Sequence, residues 1–357
     1  MFTVEMLPAE NGDCLWIEYG TRQDVYRILI DTGTTGAFPA LEARIQLVPA
    51  DKRRVDLFVV SHVDADHIGG AVRLLKSRQR LNLSFGDVWF NGYVHLVNAK
   101  DDLLGPVQGE ELTAAIVGGR LPWNKAFNGD AVVVPTRGVL PEKDVSGMKL
   151  TLLSPWPQQL VKLQPVWEST VIAAGLTPGA DAQPEEEEAE EEGDLLGEEA
   201  LDVEALATEK FNADTAEPNG SSIAFLAEFG GKSVLFGADA HSPVLQQSVE
   251  RLCGKKKLSV DVFKLPHHGS RANLSSDLLH KLSCRSFLVS TNGKRFRHPD
   301  QQAIARAIEN GANALFTFNY KSEFNCAWDD SELRKKFHFR TRYPQTGAGG
   351  IAVTVSR

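Results

Sequence analysis

Ser61-His62-Val63-Asp64-Ala65-Asp66-His67-Ile68-Gly69-Gly70 places four metal-capable side chains within six consecutive positions. Just upstream, Val55–Val60 is apolar apart from Asp56, the composition of a strand buried on both faces. Just downstream, Ile68–Ser77 reads as a helix. His62 and Asp64 stand two apart in extended backbone and so can point to one side. Asp66 and His67 follow where the chain turns into the helix. Imidazoles and carboxylates gathered in one small volume are what a hydrolytic metal site requires.

Working outward, the 357 residues suit one large domain or two ordinary ones. A composition of 42% hydrophobic and 24% charged residues excludes collagen-like, coiled-coil and fully disordered chains. No apolar run approaches the ~18–20 residues that span a bilayer. The start Met1-Phe2-Thr3-Val4-Glu5 has neither the basic nor the apolar region of a secretory signal, so a cytoplasmic protein is expected. Cys14, Cys253, Cys284 and Cys326 lie far apart and form no C-x-x-C pair, which favours buried free thiols over disulfides or a zinc–thiolate cluster.

The net charge of −9 is concentrated in one segment. Residues 181–217 hold sixteen Asp or Glu against Lys210 alone, a local charge of −15, which leaves the other 320 residues at +6. A polyanionic substrate therefore remains open on charge. The stretch from 180 to about 218 reads as an acidic, disordered or weakly helical insert, with a short helix in Leu195–Leu206 and a possible role in docking a protein partner.

Elsewhere β-rich runs alternate with helical ones. Strands are expected at Phe2–Leu7, Cys14–Tyr19, Tyr26–Ile30, Asp87–Val94, Lys149–Leu153, Ile223–Glu228, Ser233–Phe236, Val260–Leu265, Phe287–Ser290, Ala314–Phe318 and Ile351–Val355. Phe229-Gly230-Gly231-Lys232 reads as a hairpin turn. Helices are expected at Pro243–Leu252, Ser276–Leu282 and Pro299–Asn310, the second capped by Ser275 or Ser276. Two rounds of strands followed by helices imply a layered α/β sandwich. Phe316, Phe318 and Tyr320 alternate and are read as core.

His62-x-Asp64-x-Asp66-His67 resembles the H-x-[HD]-x-D-H signature of the metallo-β-lactamase fold superfamily. Ile28-Leu29-Ile30-Asp31-Thr32-Gly33 resembles its early strand ending in Asp-x-Gly, and Val234-Leu235-Phe236-Gly237-Ala238-Asp239 resembles its strand ending in Gly-Asp, with one residue inserted. Phe263-Lys264-Leu265-Pro266-His267-His268-Gly269-Ser270 resembles the Pro-His-His-Gly-Ser element of the soluble C-terminal domain of ComEC, the competence DNA-uptake protein. Gly12-Asp13-Cys14, Asn219-Gly220-Ser221-Ser222 and Thr291-Asn292-Gly293 with Arg297-His298-Pro299 are similar to further elements of that branch. The resemblance implies a four-layer αββα sandwich over 1–357, carrying the acidic insert.

It also implies a site with two divalent metal ions, Zn²⁺ or Mn²⁺. One would take His62 and Asp64; the second would take Asp66, His67 and either His267 or His268, with His267 nearer the strand end. Asp239 would bridge them, and Asp31 would orient an imidazole from behind, with Asn219 also in the supporting layer. Lys264, Ser270 and Arg271 flank the histidine pair and could clamp a phosphate, with a plain structural role equally open for Lys264, while Asp66 and His298 are candidates for catalytic roles. Two departures stand out: Asp64 replaces a histidine, and no third histidine precedes Asp239. An oxygen-rich first site shifts preference toward Mn²⁺, and His241 or His95 would be the first to test as a replacement nitrogen. The implied activity is phosphodiester hydrolysis on nucleic acid, DNA first, by a metal-bound hydroxide. The alternatives are hydrolysis of a lactone, thioester or cyclic nucleotide, or a catalytically weak regulatory protein.

Overall fold

Side chains along a strand alternate between its two faces. In Leu15–Gly20, residues Leu15, Ile17 and Tyr19 face one buried cluster while Trp16 faces another. Ile28 and Ile30 against Leu29, and Leu57 and Val59 against Phe58, repeat the division. A sheet that buries both faces needs a layer on each side, and the computed structural model supplies them. It describes residues 1–96, 107–173, 201–311, 313–345, 347 and 349–356.

The first sheet runs in the order Ile351–Thr354, Phe2–Met6, Leu15–Gly20, Val25–Ile30, Leu57–Val59, Val88–Trp89. The second runs Arg340–Arg342, Leu315–Phe318, Ser286–Val289, Val262–Lys264, Lys232–Phe236, Ala224–Phe229, Met148–Ser154, Glu142–Val145. Their inner faces pack together in one cluster. Helices Phe38–Gln46, Ala71–Ser77, Val107–Gly118 and Pro157–Ala173 cover the outer face of the first sheet. Ser242–Cys253, Ser276–His280 and Gln301–Asn310 cover the second. The last buries Ala303, Ile304, Ala307 and Ile308, an apolar stripe at helical spacing. The result is an αββα sandwich.

Each sheet contains a parallel section: Val25–Ile30 beside Leu57–Val59 and Val88–Trp89 in one, Lys232–Phe236 through Arg340–Arg342 in the other. Parallel strands bring their C-terminal ends to the same edge, and the residues just past those ends include Asp31, Ser61, Asp239 and the 267–268 pair.

Several local expectations are revised. The run Val55–Val60 is split at Asp56, whose carboxylate accepts from the Arg27 N–H at 2.9 Å and pairs with Arg54. Val55 instead pairs with Phe85 in a small separate sheet. The helix after the motif is interrupted at Gly69-Gly70, giving Ala65–Ile68 and Ala71–Ser77. Only Val88–Trp89 of the expected Asp87–Val94 is strand. The Gly230-Gly231 turn has φ of 57° and 71°, which glycine adopts freely, and Ser275 caps its helix by accepting from the Leu278 N–H. Cys14 and Cys284 are buried free thiols, but Cys326 is exposed.

The expectation of a disordered insert from 180 to about 218 is corrected for residues 201–218. Val203 is fully buried, the helix Val203–Thr208 lies against Gln301–Asn310, and the Arg306 guanidinium sits 5.5 Å from the Phe211 ring centroid. Apolar anchors and a facing cation offset the acidity there. Residues 180–200 lie outside the described residues. Among the described residues, no helix is long and apolar enough to cross a membrane.

Candidate metal centre

Ile30 and Val59 are register partners in adjacent parallel strands, so Asp31 and Ser61 emerge side by side. Asp31 accepts from the Ser61 N–H at 2.7 Å, from the Ser61 hydroxyl at 2.7 Å and from His67 Nδ1 at 2.8 Å. The Ser61 hydroxyl donates to Asp31, so its oxygen is left to accept from His62 Nδ1 at 3.0 Å. From the other sheet, His268 Nδ1 donates to the Ser290 carbonyl at 2.8 Å and His267 Nδ1 to Asn273 Oδ1 at 2.9 Å. Anchoring each Nδ1 to an acceptor fixes the ring and leaves Nε2 as the position that takes a proton or a metal.

All four Nε2 atoms converge on one oxygen. Asp239 Oδ2 lies 3.3 Å from His67, 3.7 Å from His267, 3.7 Å from His268 and 3.9 Å from His62. Asp64 Oδ2 stands 3.4 Å from His62 Nε2 at the more open side, and Asp66 Oδ2 stands 3.5 Å from His268 Nε2. His67 and His268 meet Nε2 to Nε2 at 3.2 Å. Two triads, His62/His67/Asp239 and Asp66/His67/His268, have ligand atoms within 4.8 Å of one another.

Backbone details hold this arrangement. A Cβ on Gly12 would sit 1.6 Å from the Asp66 carbonyl oxygen, so only glycine lets the 9–13 turn approach the motif. His267 and His268 both have positive φ, 45° and 55°. Such non-glycine conformations cost on the order of 1–3 kcal/mol each, and they turn both rings toward the centre.

The electrostatics match a cation site. Burial alone would favour neutral imidazoles, but the carboxylates, Asp239 foremost, hold His67 and His267 above the ordinary histidine range and His268 at about 9. Burial would likewise raise Asp239, yet His67, His267 and His268 hold it well below the carboxylate range. His67 and His268 do the same for Asp66. The carboxylates thus demand positive charge, which protons on the imidazoles supply when no metal does. His62 Nε2 and Asp239 Oδ1 are buried with no hydrogen-bond partner, a costly state that a metal ion relieves. The donor set of nitrogens and carboxylate oxygens fits a divalent ion.

Three sequence expectations change. Of the histidine pair, His268 is the one beside Asp66 and His67; His267, the member of the pair favoured from sequence for the Asp66 and His67 side, faces Asp239 from the other side. His241 Nε2 bonds the Ala216 carbonyl at 2.9 Å and His95 Nε2 the Gly129 carbonyl at 3.2 Å, so neither supplies the replacement nitrogen. Of the two roles open to Lys264, the structure shows the structural one: it is fully buried, with Nζ 2.7 Å from Asp13 Oδ2 and 3.1 Å from the Leu265 carbonyl. Ser270 is buried with its hydroxyl accepting from the Ala272 N–H, whereas Arg271 is exposed.

His298 packs edge-on against His267 with ring centroids 5.2 Å apart. Burial holds its pKa below the ordinary histidine value despite Asp300, whose Oδ2 is 3.6 Å from Nδ1. Asn219 Nδ2 donates to Asp214 Oδ2 at 2.8 Å. That aspartate, read from sequence as part of the acidic insert, also accepts from Asn273 Nδ2 at 2.9 Å and lies 3.7 Å from His267 Nδ1. Asp13, read only as a turn residue, sits 3.6 Å from His268 Nδ1. Asn273 follows His267 by six residues and had a local signal; Asp214 had none.

The family model described as "Metallo-beta-lactamase superfamily" matches residues 8–79, which include the Asp31 turn and the whole His62–His67 motif. This part of the chain is similar to the metallo-β-lactamase superfamily. ComE operon protein 3 of Bacillus subtilis (strain 168) is similar to this chain, 26% identical over 138 residues, 36% of the chain. The match spans 17% of that relative's length. Solved structures similar to this chain include YhfI of Bacillus subtilis, a metallo-beta-lactamase fold protein, at 10% identity, 99% of each chain and a TM-score of 0.41. Zn(2+)-bound PqqB of Methylobacterium extorquens is 11% identical, covering 99% of this chain and 100% of that one, with a TM-score of 0.42. A diphosphatase of the PhnP family is 10% identical, covering 99% and 98%, with a TM-score of 0.37.

Proposed function

We propose that this metallohydrolase-family protein is a metal-dependent phosphodiesterase acting on nucleic acid, DNA first. The observation that carries the reading is the ring of four imidazole Nε2 atoms around Asp239 Oδ2, with Asp64 and Asp66 at its edges. In this reading His62, Asp64 and His267 hold one divalent ion, Asp66, His67 and His268 hold a second, and Asp239 serves both. Zn²⁺ and Mn²⁺ both suit such a mixed set. Bound there, the ions supply Lewis acidity toward water and toward a phosphoryl oxygen.

The chain's own residues do the rest. Asp31 fixes His67, Asn273 and Asp214 fix His267, and the Ser290 carbonyl fixes His268. His298, carried as a neutral ring beside His267, is a hydrogen-bonding partner for a substrate oxygen rather than a resting proton donor. Positive charge for a phosphate backbone comes from exposed Arg271, Lys294, Arg295 and Arg297 around this histidine. The resemblance to the ComEC-like branch supports DNA as the first substrate class.

The test is an activity panel on protein stripped of metal and reloaded with Mn²⁺ or Zn²⁺. It covers single- and double-stranded DNA, RNA, bis-p-nitrophenyl phosphate and a lactone. Metal-dependent cleavage of the phosphodiesters, with nucleic-acid affinity falling steeply with salt, is expected. Turnover of the lactone with none of the phosphodiesters overturns the reading.

A further inference from the structure

Beside the metal centre stands an exposed run of four residues, Lys294, Arg295, Phe296 and Arg297. Phe296 is 43% exposed, one of few large apolar side chains on the surface among the described residues. It is not at the end of a loose loop. The Gly293 N–H donates to the Thr291 hydroxyl at 3.0 Å, the Arg297 N–H closes the turn on the Gly293 carbonyl at 2.8 Å, and the Asn292 N–H reaches the Glu10 carbonyl at 2.8 Å. A Cβ on Gly293 would meet the Phe324 ring at 2.2 Å, so the turn is packed tightly from behind.

The rings form a column from the centre to solvent. His267, whose Nε2 faces Asp239, packs edge-on against His298 at 5.2 Å. His298 in turn stacks on Phe296, centroids 6.3 Å apart and planes 30° apart. The Arg295 guanidinium lies 5.1 Å from the Phe296 centroid. An exposed aromatic ring on a fixed turn, flanked by cations, is how proteins hold single-stranded nucleic acid: the ring stacks a base and the cations follow the backbone.

We infer that Phe296 is a base-stacking platform that seats a nucleobase of single-stranded nucleic acid next to the phosphodiester held at the metal centre. This rests on the nucleic-acid reading above and narrows it to substrates with an unpaired base beside the scissile bond. The base lies against Phe296, and Arg295 and Lys294 lie along the flanking phosphates. Duplex ends and single strands then bind better than continuous duplex, whose bases are already stacked.

The experiment measures binding rather than turnover, on the full chain in EDTA, by fluorescence anisotropy. The probes are a labelled 12-nucleotide oligo-dT and the same backbone carrying abasic tetrahydrofuran units. Wild type is expected to prefer the dT probe by about tenfold, within the range that base–aromatic stacking supplies. Phe296→Ala removes that preference and leaves abasic binding unchanged; Phe296→Trp keeps it. Equal binding of the two probes by wild type overturns the inference, as does equal loss on both probes in a folded Phe296→Ala. Sedimentation with phosphatidylglycerol vesicles is the control. Phe296-dependent vesicle binding without base preference makes the turn a membrane contact instead and overturns the inference too. The two readings fail separately: Phe296-dependent base preference without phosphodiester hydrolysis removes only the phosphodiesterase, whereas hydrolysis of bis-p-nitrophenyl phosphate without base preference removes only the platform.

Discussion

His67 and His268 stand 201 residues apart in the chain and meet Nε2 to Nε2 at 3.2 Å. Each ring has its Nδ1 tied to a different acceptor, Asp31 for one and the Ser290 carbonyl for the other. Both Nε2 atoms therefore face one point, with Asp66 and Asp239 beside it. Two loops from two sheets have been closed onto a position that a cation completes.

Removing any arm of that arrangement should empty it. Asp66→Ala, His67→Ala, His268→Ala and Asp239→Ala are each expected to lower bound metal and abolish hydrolysis while far-UV circular dichroism stays unchanged. His95→Ala and His241→Ala should keep their metal. Elemental analysis after gel filtration decides the matter; full metal and activity in any two of the first four would sink the ligand assignment.

The protonation of His268 gives a pH signature to metal-free protein. Its folded pKa of about 9 lies above the ordinary 6.5, so its stabilisation is complete below about pH 6.5 and is lost as pH rises through about 9. His67 and His267 shift in the same direction. The Tm of EDTA-treated protein should therefore fall between these pH values, and saturating metal should flatten the curve by replacing the protons. A metal-free Tm that rises across the window contradicts this.

Lys264 and Asp13 form a buried ion pair with side chains 0% and 2% exposed. Breaking one partner of such a pair strands the other charge, at about 3–5 kcal/mol. Lys264→Met should lose roughly that much stability in urea unfolding. Lys264→Met with Asp13→Asn should recover part of it. A Lys264→Met protein with wild-type stability and a raised KM for phosphodiesters would restore Lys264 as a substrate contact.

The acidic segment divides into two parts with different consequences. Deleting residues 181–199 and joining the ends with a Gly/Ser linker should leave folding and metal content intact. Extending the deletion to 215 removes buried Val203 and also Asp214, which lies 3.7 Å from His267 Nδ1. That protein should melt earlier and bind metal more weakly. Asp214→Ala alone isolates the second effect, and unchanged metal affinity in that variant would show that Asn273 suffices to hold His267.

What could be read from sequence was what is local in it. His62 through His67 share six positions, and a strand running into a helix brings them together without help from the rest of the chain. Short apolar, β-branched runs bounded by turn residues announced both sheets, because a strand buried on two faces needs apolar side chains at successive positions. Tertiary structure decided the remainder. The choice of His268 for the Asp66 side depends on two consecutive positive φ angles that no residue type announces. Lys264 was open between a phosphate contact and a structural role until Asp13, 251 residues away, was found 2.7 Å from its Nζ. Asp214 sat in a charge run whose composition spoke for solvent, and only the docking of 201–218 on the second sheet's helices carried it to His267. Short-range geometry is encoded in neighbouring residues, whereas the protonation and partners of a buried group depend on what the fold brings to it from elsewhere.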